Sequence, residues 1–341
     1  LGKNNKLDRN TIKDVAQLAG VGIATVSRAL NESGPVSEAT RKRILEAIEE
    51  LQFRPDVIAR GLRTSKLPTV GMLVSDITNP LFAEIVQAAH EVLIQSGYEL
   101  VLGITNGKPK EEERALKSFE SRGVSGIIAS LTNDSNKQTK ATIKGMSIPI
   151  ILLDRQFPDY EMDAVIHEHA KGSEEAVDYL VNLGHKNIGL VLGSSKTFPE
   201  RLRKDSLLNS LKNHGIKLPD EYIHELVNPK DGYSTMINLL DYNNPPTSII
   251  VGNNQIFVGV LKALREKNIK YPDDISIISF DDVSLTQLLE KPVTVIKRDL
   301  AGFGKEAAQL LVYKIEDSSK GITKRILPTW LEVRESCKSI Q

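Results

Sequence analysis

The chain is poor in cysteine, in aromatic residues and in long apolar runs, and each shortage excludes something. A single cysteine, Cys337, in 341 residues rules out an intramolecular disulfide and fits a reducing compartment. The longest apolar stretch, Ile148 to Leu153, is broken by Pro149 and falls far short of the ~18 residues that cross a bilayer. No membrane span is expected. Residues Leu1 to Asn10 are polar and basic and lack the apolar segment of an export signal, so a cytoplasmic location is expected. Net charge is lacking too, with 44 Lys and Arg against 44 Asp and Glu.

What is present is ordinary globular composition, 40% apolar and 26% charged, which excludes a disordered or fibrous chain. At about 100–200 residues per domain, the length predicts two domains, or one with a small accessory module. The zero net charge hides an asymmetry. Residues 1–66 hold twelve cations and eight anions, an excess that the rest of the chain cancels. A basic head on a slightly acidic body suggests a polyanion-binding module, although a solvated surface of this charge is common.

In the head, Ile12, Val15, Ala16 and Ala19 recur at helical spacing behind Thr11, a good N-cap with Asp14 three residues on. Gly20 ends that helix. A second runs from Ile23 to Leu30, with Val26, Ala29 and Leu30 inward and Thr25, Ser27 and Arg28 outward. After the turn cluster Asn31 to Pro35, Ser37 caps a third helix, roughly Glu38 to Leu51, with Ile44, Leu45, Ile48 and Leu51 as its stripe. Two short helices across a tight glycine turn, braced by a third, form a helix-turn-helix pattern, whose second helix fits the DNA major groove. Spacing alone leaves a generic three-helix bundle equally open.

The run Thr11-Ile-Lys-Asp-Val-Ala-Gln-Leu-Ala-Gly-Val-Gly-Ile-Ala-Thr-Val-Ser-Arg-Ala-Leu-Asn31 resembles the DNA-binding signature of the lactose-repressor (LacI) family of bacterial transcription regulators. Val36 to Arg41 and Phe53-Arg54-Pro55 extend the resemblance, which then continues over almost the whole chain. It implies base reading by Gly22, Ile23, Ala24 and Thr25, with Thr11, Ser27, Arg28 and Asn31 in support. Ile23 and Ala24 offer only apolar contacts, of the kind made with a thymine methyl. Gly22 stands where a serine is common, which leaves the operator sequence open. The segment Asp56 to Lys66 is short, amphipathic and basic, with Gly61 inside, and is marginal as an isolated helix. By composition it is a tether or a segment that folds on binding. The resemblance implies a hinge helix, with Leu62 as a minor-groove wedge and Ala59 at the close approach of the two hinges of a dimer.

From Thr69 onward, apolar strands alternate with amphipathic helices. The strands include Val70–Val74, Glu99–Ile104, Gly126–Ala129, Pro149–Leu153, Ile188–Leu192, Ser248–Val251 and Ile275–Phe280. This reads as an α/β fold with parallel sheets, too many elements for one small sheet, and hence two lobes with a ligand cleft at the strand C-termini. The resemblance implies a two-lobed periplasmic-binding-protein-like core joined to the small all-α head. The expected organisation is residues 9–56 as helix-turn-helix, 57–67 as hinge and 68–341 as effector-binding and dimerisation core. The first lobe is expected at 69–163 plus 293–322, and the second at 164–292 plus 323–336.

Asp76, Asp154, Asn253 and Asp281 each follow a strand, where polar groups can hold the hydroxyls of a polyol. The resemblance carries effector roles onto Asp76, Phe82, Asp154, Arg203, Asn253 and Asp281. Arg203 could make paired hydrogen bonds, and Phe82 offers a flat apolar face. Any single Asp could instead be a helix cap, Asp281 above all. Several positions depart from the family: Asn253-Asn254 for the usual Asn-Asp, His167-Glu168 for Asp-Asn, Ser206-Leu207 for Gly and an aromatic, and Val227 near a common stacking aromatic. These leave room for an effector other than a plain sugar. His167 and His169 could meet one metal if they share a strand face, but no third ligand is near, and histidines at the surface or pocket rim are the preferred reading. Gly302-Phe303-Gly304 imitates part of a dinucleotide fingerprint and reads better as mid-helix glycines.

A ligand-responsive repressor is therefore expected, binding a pseudo-palindromic double-stranded operator as a homodimer, with a sugar-like effector and no cofactor. A cytosolic or exported solute-binding protein is the alternative. An enzyme is not expected, since the sequence carries no P-loop, nucleophile elbow or metalloprotease signature.

Overall fold

The computed structural model describes residues 11–31, 34–51, 69–317, 319 and 321–340, with the side chains of Leu30 and Asn31 left out. The chain divides into two compact units, Leu1–Leu67 and Pro68–Gln341.

In the first unit, helices Ile12–Leu18, Ile23–Asn31 and Glu38–Glu50 enclose Val15, Ala16, Ala19, Val26, Ala29, Ile44 and Ala47. The Thr11 N–H donates to Asp14 Oδ2 at 2.6 Å, closing the start of the first helix. Ser37 Oγ accepts from the Thr40 N–H at the start of the third. Gly20 turns the chain with a φ of +64°, a conformation an L side chain resists. The stripe expected on the third helix is shifted. Leu45 is 57% exposed, and Ala47 takes a buried place instead. The contact face follows Ile44 and Ala47 at i and i+3, so Leu45 falls beside it.

The second unit holds two six-stranded sheets. The first runs β11-β5-β4-β3-β1-β2 and the second β12-β10-β9-β8-β6-β7. Their strands are β1 (Thr69–Val74), β2 (Glu99–Ile104), β3 (Gly126–Ala129), β4 (Ile150–Leu153), β5 (Ala164–His167), β6 (Ile188–Gly193), β7 (Ile223–Leu226), β8 (Ser248–Val251), β9 (Ser276–Phe280), β10 (Thr294–Arg298), β11 (Lys324–Leu327) and β12 (Thr329–Glu332). All pairings are parallel except β10 with β12. An antiparallel edge strand on a parallel sheet is common, because an edge needs no crossover helix. Strands β3, β4, β6, β8 and β9 are buried throughout, as expected for sheets covered on both faces. Each fully buried Ile, Leu or Val contributes ~1.5–3 kcal/mol.

The lobe boundaries differ from those expected. Strand β5 lies in the first sheet, not the second lobe; β10 lies in the second sheet, not the first lobe; and β11 lies in the first sheet. The three crossings thus fall near 168, 299 and 328, about five to seven residues later than the expected 163, 292 and 322. The chain completes a strand before it changes lobes, since leaving earlier would strand unpaired backbone in a buried sheet. Each crossing therefore starts at a strand C-terminus: His167, Arg298 and Leu327.

Gly302 and Gly304 sit inside helix Leu300–Glu316. A Cβ on Gly304 would stand 2.3 Å from the Ile85 carbonyl oxygen, so this glycine allows close packing on helix Pro80–Gln95.

Candidate effector site

The C-terminal ends of both sheets bring their polar residues together in the second unit. Asp154 follows β4 and Asp281 follows β9. Both adopt left-handed backbone, with φ of 49° and 74°. Non-glycine residues in this region carry strain that clusters at functional sites. Asp281 is not a helix cap, since the N-cap position of the next helix, Ser284–Leu288, is Val283.

Arg298, at the end of β10, joins the two carboxylates. Its Nη1 donates to Asp154 Oδ2 at 3.0 Å, and its Nε donates to Asp281 Oδ1 at 2.8 Å. Its Nη2 lies 2.7 Å from the same Asp281 oxygen. The guanidinium therefore bridges the two lobes. Arg203, on helix Phe198–Asn213, approaches Asp281 at 3.8 Å and donates to the Gly252 carbonyl at 2.6 Å and to Glu200 Oε1 at 3.3 Å. It lies over the Phe280 ring, 4.6 Å from the centroid. Glu200 accepts from the Gly193 N–H and from Asn253 Nδ2. Burial raises the Glu200 carboxyl, against the opposing pull of Arg203 and the hydrogen bond from Asn253. Gly193 ends β6 because a Cβ there would meet the Glu200 carboxyl at 2.5 Å. Asn253 caps helix Asn254–Glu266, accepting from the Ile256 N–H at 3.0 Å.

His167 and His169 are buried against Asp154, not at the surface or rim as expected. The His167 backbone N–H donates to Asp154 Oδ1 at 2.9 Å. Its ring Nδ1 is 3.3 Å, and His169 Nε2 3.5 Å, from Asp154 Oδ2. His169 begins the next helix rather than sharing a strand face with His167. Glu168 caps that helix through the Ala170 and Lys171 N–H groups. Among the described residues no group of three or more His, Cys, Asp or Glu is arranged to hold a metal ion. Burial by itself raises the Asp154 carboxyl, but the imidazoles of His167 and His169 outweigh it and hold the group well below the usual carboxylate range. Burial lowers both imidazoles against the pull of Asp154, His169 to about 4. At neutral pH His169 is thus uncharged.

Of the six effector candidates, Asp154, Arg203, Asn253 and Asp281 join one chain of hydrogen bonds and ion pairs through Glu200 and Arg298. Asp76 is half-buried; it accepts from Thr78 and, across the cleft, from Gln255 Nε2 at 3.2 Å. Phe82 packs on the apolar cluster of the first lobe. Two more residue pairs cross between the lobes: Asn254 Nδ2 donates to Asn79 Oδ1, and Arg201 donates to both oxygens of the buried Asp134. Val227 is 77% exposed. Arg298 and Glu200 were not apparent from the sequence. The β-branched run Val293 to Ile296, ending in Lys297-Arg298, was the available signal for the first. Little local marks Glu200: Arg203 is on the same helix, but Gly193 at the end of β6 and Asn253 after β8 are far off in sequence.

In the head, Gly22, Ile23, Ala24 and Arg28 are exposed, and Thr25 and Ser27 are half-buried. Ile23 is 45% exposed at the start of its helix. Open space surrounds Gly22 where a Cβ would stand, so no packing demand selects glycine there. Arg28 donates to the Ala24 carbonyl at 3.3 Å. Thr11 is the exposed N-cap of the first helix. The Asn31 side chain, and Ala59 and Leu62, lie outside the described residues. Among the described residues no helix is long and apolar enough to cross a membrane.

Residues 11–56 match the bacterial regulatory proteins of the lacI family, and residues 177–337 match a periplasmic binding protein-like domain. The chain is 30% identical over 331 residues to the HTH-type transcriptional repressor PurR of Pasteurella multocida, covering 96% of this chain and 99% of that protein. It is 30% identical to the ribose operon repressor of Escherichia coli, covering 89% and 93%. Its fold matches the Lac repressor dimer bound to operator and the anti-inducer ONPF, with a TM-score of 0.87, 25% identity and coverage of 97% and 100%.

Proposed function

The chain belongs to the lacI family of bacterial regulatory proteins, and from that premise we propose that it represses transcription as a cytoplasmic homodimer whose operator affinity answers to a small, sugar-like molecule in the interlobe cleft. It is a transcriptional regulator and not an enzyme. Two copies of helix Ile23–Asn31 enter successive major grooves of a pseudo-palindrome. The observation that carries DNA reading is the bare, apolar start of this helix. Exposed Ile23, flanked by Gly22 and Ala24, has no folding reason to face water and fits a thymine methyl. Arg28 and the Asn31 position support it from the same helix, Thr11 from the first, and Ala59 and Leu62 from the hinge segment.

The effector side rests on Asp154, Arg203, Asn253 and Asp281 drawn from both lobes, with Asp76 and Phe82 on the first. A ligand that binds between lobes changes their separation, and by linkage its affinity and the operator's change by the same factor. An operator titration with and without ligand tests this. Arg203→Ala removes the ligand-induced change in operator affinity. A change of undiminished size in the variant takes Arg203 out of the effector site.

A further inference from the structure

The polar cluster where the strand ends of the two sheets meet holds more than a neutral polyol requires. Eight charged or titratable side chains meet there: Asp154 and Asp281, bridged by Arg298; Arg203 and Glu200 beside Asp281; His167 and His169 on Asp154; and Arg155, which donates to the carbonyls of Leu131 and Asp154. Phe303 closes the far side of His167, with ring centroids 4.2 Å apart. Farther out, Asp134 is taken by Arg201, and Glu112 accepts from the Thr132 N–H and the Thr139 hydroxyl. With both imidazoles neutral, the three guanidiniums and three carboxylates of the cluster balance.

Five buried polar atoms in and beside this cluster have no hydrogen-bond partner among the described residues: His167 Nε2, His169 Nδ1, Arg203 Nε, Asn254 Oδ1 and Asp281 Oδ2. Three of the five are nitrogens that carry or can take a proton. Arg298 adds capacity, since its five N–H groups make only three of the contacts above. Its planar head is held by carboxylates of both lobes, the preorganisation that bidentate recognition of an acid group exploits.

We propose that the effector is a sugar acid, a polyhydroxylated monocarboxylate. Arg298 and Arg203 receive its carboxylate, and the His167–His169 pair takes up a proton as it binds. The inference rests on the cleft being the effector site. His167 faces Asp154 through Nδ1, so in the neutral ring a proton there leaves Nε2 as a bare acceptor. A carboxylate entering the cluster upsets its charge balance and is repelled by that lone pair. One proton on an imidazole cancels the added charge and turns an acceptor into a donor. The hydroxyls of the ligand then fall to Asp281 Oδ2 and Asn254 Oδ1. A phosphate dianion fits less well, because a second proton would place two cations side by side, with ring centroids 6.1 Å apart, next to Arg298.

The test is titration calorimetry of the full chain at pH 7 with gluconate, glucuronate and galacturonate, with glucose and galactose, and with glucose 6-phosphate. Each is run in two buffers of different ionisation enthalpy. At least one acid is expected to bind about tenfold or more tighter than its parent sugar, with uptake of about one proton and a change in operator affinity. In Arg298→Gln the preference for the acid is lost, and Arg298→Lys keeps part of it. The wild-type comparison stands even if a variant does not fold. Tighter binding of the phosphate, or acid binding without proton uptake, overturns the proposal. A neutral sugar that binds as tightly and shifts operator affinity also overturns it, but leaves the cleft reading standing. If nothing in the panel binds, both readings fall.

Discussion

The two sheets of the core are near-copies in strand order, and they handle their buried aspartates differently. Strand β4 in the first occupies the place of β9 in the second, and each is followed by an aspartate in left-handed backbone, Asp154 and Asp281. The next strand along, β5 or β10, ends in the residue that meets that aspartate. In the first sheet this is His167; in the second it is Arg298. One lobe thus offers an imidazole, which can be neutral or protonated, and the other offers a permanent cation. Arg298 reaches both aspartates, whereas the bonds of His167 stay within its own lobe. The lesson is that a repeated backbone fixes where a polar group stands, while the residue type decides whether the site can exchange protons.

The largest effect on that comparison should come from Arg298→Ala. It leaves two buried carboxylates without their shared partner, a change that costs ~3–5 kcal/mol. Urea unfolding of the variant measures it. A loss below about 1 kcal/mol, the range of an exposed pair, would mean the bridge is not formed in solution.

A smaller and pH-dependent effect belongs to the first lobe. His169 is held neutral, its ionisation lowered from 6.5 to about 4. As pH falls through that window the unfolded chain takes up a proton that the folded chain refuses, so this share of stability is present above pH 6.5 and is lost towards pH 4. The loss is ~3 kcal/mol at most. In His169→Gln the stability curve between these limits should be flatter by about that amount. A slope equal to that of the wild type would show that His169 ionises freely in the folded protein.

Much of the architecture could be read in the chain itself. Strands β1, β3, β4, β6, β8 and β9 are nearly continuous apolar runs, and such runs have no other stable place than a sheet covered on both faces. The strands that were not apparent are β5, β7, β10, β11 and β12. Three of them mix charged residues into short segments, as in Ile223–Leu226, Lys324–Leu327 and Thr329–Glu332, because edge strands have one side towards water. The same mixture hid Arg298 at the end of β10, and with it the bridge. Asp154, Arg203, Asn253 and Asp281 were named through strand ends and family resemblance. Glu200 was not, since its role depends on Gly193 and Asn253, which only the folded sheet brings near. The histidines were expected at the surface or pocket rim, and both are buried against Asp154. Spacing put them on one strand face, whereas the crossing after His167 sends His169 into a helix.

The central claim is that this chain reads duplex DNA through the start of helix Ile23–Asn31. It is tested most directly by selection of bound duplexes from a randomised pool, followed by affinity measurements at two salt concentrations. The predicted result is enrichment of a two-fold-symmetric sequence, bound with a steep salt dependence and at least ~10³ times tighter than random duplex. A pool that shows no enriched sequence, or binding that ignores salt, would contradict it.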